Sequence, residues 1–269
     1  MSESTFLYGA HVSANGIRQH YLRFGGQGQP LLLVPGITSP AITWDFVAER
    51  LGQQFDTYIL DVRGRGLSAS GPELAYDTDT CADDVVAFAQ ALELEHYILA
   101  GHSMGGRHVL RAMTRGAQGV DKLVLMDPPV SGPGRREYPG KLPWYTDSIR
   151  DCLRGADIDT MRSYCPTWTE DQLRLRAEWL HTCYEPAVVQ SLQEFHSVDI
   201  HQDMPHVTCP TLLMCASRGG VIEAQDREEI EGLLSQPTIS VVEDAGHMIP
   251  WDNFDGCFEV LSQFLATPL

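Results

Sequence analysis

The sequence predicts an α/β protein built on a mostly parallel, eight-stranded sheet with helices on both faces. Eight short apolar runs, at 6–12, 17–23, 30–35, 57–61, 96–100, 122–126, 211–215 and 238–242, are separated by stretches with helical spacing. Several runs are apolar almost throughout, as in Thr211-Leu212-Leu213-Met214-Cys215. That is the pattern of a strand covered on both faces, not the alternation of a half-exposed one. The composition, 43% apolar and 20% charged over 269 residues, supplies enough apolar surface for one large core.

In chain order, the first three runs read as strands, followed by an amphipathic stretch and the strand at 57–61. From 78 to 92, Cys81, Val85, Phe88, Ala89 and Leu92 recur at helical spacing, with Thr78 or Asp79 placed to cap the first turn. The strand at 96–100 runs into a helix that starts directly after Ser103, and the strand at 122–126 follows. The alternation then breaks once. Residues 131 to 205 open on the loop signal Ser131-Gly132-Pro133-Gly134 and continue as helical pieces carrying Trp144, Tyr145, Trp168, Trp179, Tyr184 and Phe195. The expected organisation is a core of 1–130 and 206–269 with a helical cap inserted at 131–205.

Nineteen Lys and Arg against 36 Asp and Glu give a net charge of −17, a field that repels polyanions and argues against nucleic acid as a partner. A small anionic substrate therefore needs local Arg or His groups. The seven cysteines form no C-x-x-C pair and are odd in number, which argues against a disulfide framework or a zinc knuckle and for thiols in a reducing compartment. No apolar run reaches the roughly 18 residues of a membrane span, and the opening Met-Ser-Glu-Ser-Thr lacks a secretory pattern. The expected location is the cytoplasm.

The chemistry centres on Gly101-His102-Ser103-Met104-Gly105, a G-x-S-x-G match. The motif is short, so its context decides: an apolar strand enters it and a helix leaves it, as a strained turn that lifts a nucleophile above a sheet edge requires. A serine hydroxyl is a poor nucleophile at neutral pH and needs a neutral imidazole to accept its proton. His247, in Ala245-Gly246-His247-Met248, stands between the last strand and the last helix, at the carboxyl side of the sheet. His102 is expected to point away across the turn, and His11, His20 and His96 to be structural. The cap histidines His181, His196, His201 and His206 are the remaining candidates for the base.

A carboxylate must hold the imidazole in its useful tautomer. The loop after Cys215 reads Ala216-Ser217-Arg218-Gly219-Gly220-Val221 and contains no acid. Asp127, at the end of the neighbouring strand, is the replacement, because adjacent strands lie only about 4.8 Å apart. Glu223, Asp226 and Asp244 are the alternatives. Backbone N–H groups of Met104, at the positive end of a helix, and of Ile37, in the Pro35-Gly36 turn, are the expected oxyanion donors. The stretch Asp61-Val62-Arg63-Gly64-Arg65-Gly66-Leu67-Ser68 reads as scaffold: it lacks the third glycine and the downstream acid of a dinucleotide loop. Without a P-loop or an H-E-x-x-H helix, the chemistry calls for no cofactor and no metal.

Pro35-Gly36, Asp61-x-Arg63-Gly64-x-Gly66-x-Ser68, Gly101-His102-Ser103-Met104-Gly105 and Gly246-His247, in this order, resemble the α/β-hydrolase superfamily over essentially the whole chain. Members with Asp in place of Ser103, the dehalogenases and epoxide hydrolases, fit less well. A closer resemblance is to the N-formylmaleamate deformylases of bacterial nicotinate degradation. It is carried by Asn15 to His20, Pro35 to Trp44, Asp127 to Arg136, Arg176 to Pro186, Arg218 to Glu223 and Ala245 to Asp252, which include cap and loop segments.

The closer resemblance implies hydrolysis of N-formylmaleamate to maleamate and formate, with the triad on Ser103, Asp127 and His247. A carboxylester or enol-lactone hydrolase using the same triad, and a ligand-binding relative without turnover, are the competing readings. Arg63, Arg107, Arg135, Arg136, Arg218 and His181 are the candidates for binding the substrate carboxylate.

Overall fold

The computed structural model describes residues 4–269. Met1, Ser2 and Glu3, part of the stretch read for a leader, lie outside the described residues. Eight strands form one sheet: β1 (Phe6–Ala14), β2 (Ile17–Phe24), β3 (Pro30–Val34), β4 (Asp56–Leu60), β5 (Tyr97–His102), β6 (Val120–Met126), β7 (Thr211–Ala216) and β8 (Pro237–Val242). The spatial order is β1-β2-β4-β3-β5-β6-β7-β8. β1 and β2 pair antiparallel, β2 runs antiparallel to β4, and every other pairing is parallel.

The apolar runs account for this arrangement. Every residue of β4, β5 and β7 is buried, which a strand reaches only when both of its faces are covered. The outermost strands differ: β1 is largely exposed and β8 partly so, consistent with a sheet edge at each end.

The helices between the strands are α1 (Asp45–Leu51), α2 (Thr78–Ala91), α3 (Met104–Thr114), α4 (Leu142–Leu153), α5 (Ile158–Tyr164), α6 (Glu170–Trp179), α7 (Glu185–Ser197), α8 (Ala224–Leu233), α9 (Ile249–Asp252) and α10 (Phe254–Leu265). α3 lies across β3, β5 and β6 with α2 against it, while α8 and α10 pack on β8. The cap of α2 is Asp77, one residue before the pair expected from sequence. Its carboxylate accepts from Thr80 N at 2.8 Å, because the extended backbone at Asp77 aims the side chain at the third helical amide.

The four helices α4 to α7 and two 3-10 turns, at Leu180–Thr182 and His201–His206, fill the interval between β6 and β7. Their apolar side chains, among them Tyr145, Ile149, Met161 and Phe195, join the same buried cluster as the strands. Arg107 of α3 fastens the interval to the sheet. Its buried guanidinium donates to the carbonyls of Pro129 and Ser131, just past β6, and of Glu194 and Val198 at the carboxyl end of α7. The seven cysteines are all free and six are buried. Among the described residues no helix is long and apolar enough to cross a membrane.

Candidate active site

Ser103 stands between β5 and α3 with φ 53° and ψ −120°, a left-handed conformation that costs an L-residue on the order of 1–3 kcal/mol. The turn survives because its neighbours are glycines. A Cβ on Gly105 would lie 1.9 Å from the Val34 carbonyl oxygen, and one on Gly101 would lie 2.4 Å from that of Gly105. The Ser103 amide donates to Met126 O at 2.9 Å, so the elbow is tied to the end of β6.

His247, on the loop between β8 and α9, brings Nε2 to 2.8 Å from Ser103 Oγ and Nδ1 to 2.7 Å from Asp127 Oδ2. An ionised carboxylate only accepts, so Nδ1 carries the proton it donates to Asp127 and Nε2 presents its lone pair to the serine hydroxyl. Asp127 directly follows β6, is buried, and adopts φ 47°. Its other oxygen accepts from Ala216 N at 3.2 Å and its own amide donates to Met214 O at 2.8 Å, which fixes the carboxylate against the end of β7.

On the neighbouring loop Gly219 occupies the place expected for an acid, and a Cβ there would come within 3.4 Å of His247 N. The alternatives considered for the acid are engaged elsewhere. Glu223 and Asp226 cap α8 and lie beside Arg136, and Asp244 is exposed to solvent.

The expected oxyanion donors flank the serine. Met104 is the first residue of α3 and Ile37 lines the same cavity as Ser103. Among the described residues neither amide is donated to a protein carbonyl. Arg65, fully buried in the loop read as scaffold, donates from Nε to Ile37 O at 3.1 Å and so braces the turn from behind. Asp61 holds the same region by accepting from Ala41 N and Leu67 N.

His102 differs from its expected orientation. It lines the cavity, and its Nε2–H donates to the His247 carbonyl at 2.9 Å, which holds the loop carrying the imidazole. Burial pushes the His102 pKa down to about 3, so this ring is neutral.

The cavity beside Ser103 encloses about 540 Å³ between the sheet edge and the interval 131–205. Tyr138 and Tyr145 join it from the interval 131–205, with their hydroxyls 3.1 Å apart and the Tyr138 ring 6.0 Å from that of His247. Burial raises both phenols, so they remain protonated donors.

None of the six residues singled out for a substrate carboxylate lines this cavity. Arg63 grips buried Asp84 through Nε and Nη2, and Arg107 is spent on the four carbonyls. Arg135 pairs with Glu229 and Asp199, Arg136 with Asp226, Arg218 bonds a carbonyl, and His181 is exposed. The physical reason is the excess of acid: with 36 carboxylates to 19 cationic side chains, most arginines find a partner within the protein.

The guanidinium that does line the cavity is Arg176 of α6, which is not among the candidates the sequence points to. A signal for it existed. Arg176 falls at helical spacing between Leu173 and Leu180, both buried, and a charge within such a stripe is uncommon.

Residues 31–260 match the model of an alpha/beta hydrolase family. The chain is 63% identical to the N-formylmaleamate deformylase of Pseudomonas putida over 99% of each chain. The crystal structure of an N-formylmaleamic acid deformylase from P. putida, a serine-to-alanine variant, superposes with a TM-score of 0.92 at 54% identity, covering 95% of this chain and 100% of that one. A more distant relative, the 2-(acetamidomethylene)succinate hydrolase of Mesorhizobium japonicum, is 26% identical over 85% of this chain and 84% of its own length. With most of its length matched by the family model and a strained serine at the mouth of a parallel sheet, the chain belongs to the α/β-hydrolase family.

Proposed function

We infer that this protein is an N-formylmaleamate deformylase, a hydrolase that cleaves the formyl amide bond to give maleamate and formate. The observation that carries the reading is the 63% identity extending over 99% of both chains, cap and loops included. A scaffold shared only for its fold would diverge in those segments.

In this reading Ser103 is the nucleophile, His247 the general base and acid, and Asp127 the carboxylate that orients the imidazole. Their contacts at 2.8 and 2.7 Å support the assignment. Ser103 attacks the formyl carbon, which carries only hydrogen besides its oxygen and nitrogen and is the least hindered carbonyl of the substrate. His247 takes the hydroxyl proton, and the Ile37 and Met104 amides receive the developing oxyanion.

The leaving nitrogen is acylated on its other side, which delocalises its charge and eases departure. His247 returns the proton to that nitrogen and maleamate leaves. Water deprotonated by the same imidazole then attacks the formyl-serine, releasing formate and restoring the hydroxyl. We propose that the segment 131–205 is the cap that closes over this site. The free thiols agree with a cytoplasmic location.

The test is a substrate panel. N-formylmaleamate should release formate with a kcat/KM at least about 100-fold above that for aryl esters and enol-lactones. Formate release no faster than background, beside efficient ester cleavage, would replace this reading with the esterase one.

A further inference from the structure

Elsewhere in this protein the forked edge of a buried or half-buried guanidinium is used: buried Arg63 and half-buried Arg23 show how. Arg23 and Arg63 each use the edge formed by Nε and Nη2 to grip a carboxylate, of Asp56 and Asp84 respectively, two N–H groups to two oxygens. Arg176 is only 4% exposed, yet the same edge is empty: neither Nε nor Nη2 has a hydrogen-bond partner, and Nη1 makes one long contact of 3.4 Å to Thr38 O. Among the described residues it is the one arginine with two buried nitrogens that lack a hydrogen-bond partner. A buried guanidinium left in this state is costly, and a fold retains such a group where a ligand completes it.

The surroundings define the ligand. The guanidinium carbon lies over the rings of Trp144 at 5.2 Å and Trp168 at 5.5 Å, and Trp168 is itself stacked on Trp251. Two indole walls hold the guanidinium plane and keep water from its edge, which suits a flat, conjugated ligand. Trp168 is buried, while Trp144 is 39% exposed and is the wall that can yield to admit one. Tyr138 and Tyr145 line the cavity between the Ser103 side and α6, and the Arg176 charge is felt at the Tyr145 phenol, which it pulls down against the upward push of burial. The other cation on the cavity wall, Lys141, is mostly exposed and stands 3.9 Å from Glu137, so its field is screened.

We propose that Arg176 is the residue that recognises the substrate's free carboxylate: its empty Nε/Nη2 edge takes the two oxygens of a short, planar, unsaturated acid whose far carbonyl is presented to Ser103. The assignment rests on the deformylase reading above. It gives the site a local positive partner for an anion that the net charge of −17 otherwise repels.

The test compares N-formylmaleamate with its uncharged methyl ester, following formate release from both. The wild-type protein is expected to favour the acid strongly. In Arg176→Gln the ratio of kcat/KM for acid over ester should fall by about 100-fold or more, and in Arg176→Lys, which keeps the charge but loses the fork, by an intermediate factor. Equal turnover of acid and ester by the wild type overturns the proposal, as does a parallel loss of both in the variants or an unchanged ratio. Should the Gln variant fail to fold, the wild-type and Lys ratios decide alone. Formate from both compounds at equal rates removes this inference and leaves the deformylase reading standing. Formate from neither, beside active ester cleavage, removes that reading and this inference with it.

Discussion

Asp127 and His247 meet at 2.7 Å although they are 120 residues apart and the carboxylate comes from the end of β6, one strand away from the acid-free loop that follows β7. The register explains how. Met126 pairs with Met214, so Asp127 leaves its strand level with Cys215, and its positive φ turns the carboxylate across the end of β7. The opposite loop passes close to the His247 backbone through Gly219, whose φ of 104° favours a residue without a side chain. The acid has in effect been moved over by one strand spacing, without altering what reaches the imidazole.

His102 holds the His247 loop through a single N–H···O=C bond, and a bond of this kind contributes about 1 kcal/mol. His102→Ala should lower kcat by about fivefold in a protein that remains folded, and His102→Asn, which restores a donor, should recover part of it. Because the ring is already neutral far below the working pH, neither change should alter the shape of the pH–rate profile above about pH 5. Steady-state kinetics across pH check both statements.

Two buried histidines make stability depend on acid. His102 and His108 have folded pKa values lowered to about 3 by burial, whereas the unfolded chain takes up a proton near 6.5. Below 6.5 the unfolded state binds more protons, so stability falls as pH drops from there toward 3. Each residue should cost on the order of 2 kcal/mol between pH 7 and pH 5. Urea midpoints at the two pH values measure this, and His108→Gln should show a shallower loss than the wild type.

Arg107 ties the interval 131–205 to the sheet through four carbonyls and is desolvated enough that its pKa drops to about 10, still well above neutrality. Arg107→Met leaves those carbonyls without a donor and removes the positive group at the end of α7. The expected loss is about 3–5 kcal/mol, read from chemical denaturation.

The fold was legible because its signals are local. Runs such as Leu31 to Val34 and Thr211 to Cys215 name their own environment, and the spacing of Gly101, Ser103 and Gly105 describes a turn that few other residues permit. Asp127 was legible for a weaker reason: adjacent parallel strands place their ends side by side, so an acid missing from one loop can be sought on the next. The carboxylate-facing cation was not legible in this way.

Arginines close to recognisable loops attracted notice, yet Arg63, Arg135 and Arg136 are spent on acids that sequence proximity does not reveal. Arg176 becomes notable only once Trp144, Trp168 and its two unpartnered nitrogens are known, and these are tertiary facts. The same holds for His102, whose partner is a backbone atom 145 residues away.

The most direct test of the triad drawn from β6 is the rate of formate release from N-formylmaleamate by Asp127→Asn, with Glu223→Gln as the companion variant. Replacing the carboxylate by an amide favours the wrong imidazole tautomer, so turnover should fall by about 10⁴-fold, while Glu223→Gln should stay within about twofold of the wild type. Near-normal turnover by Asp127→Asn, or a large loss in Glu223→Gln, would contradict it.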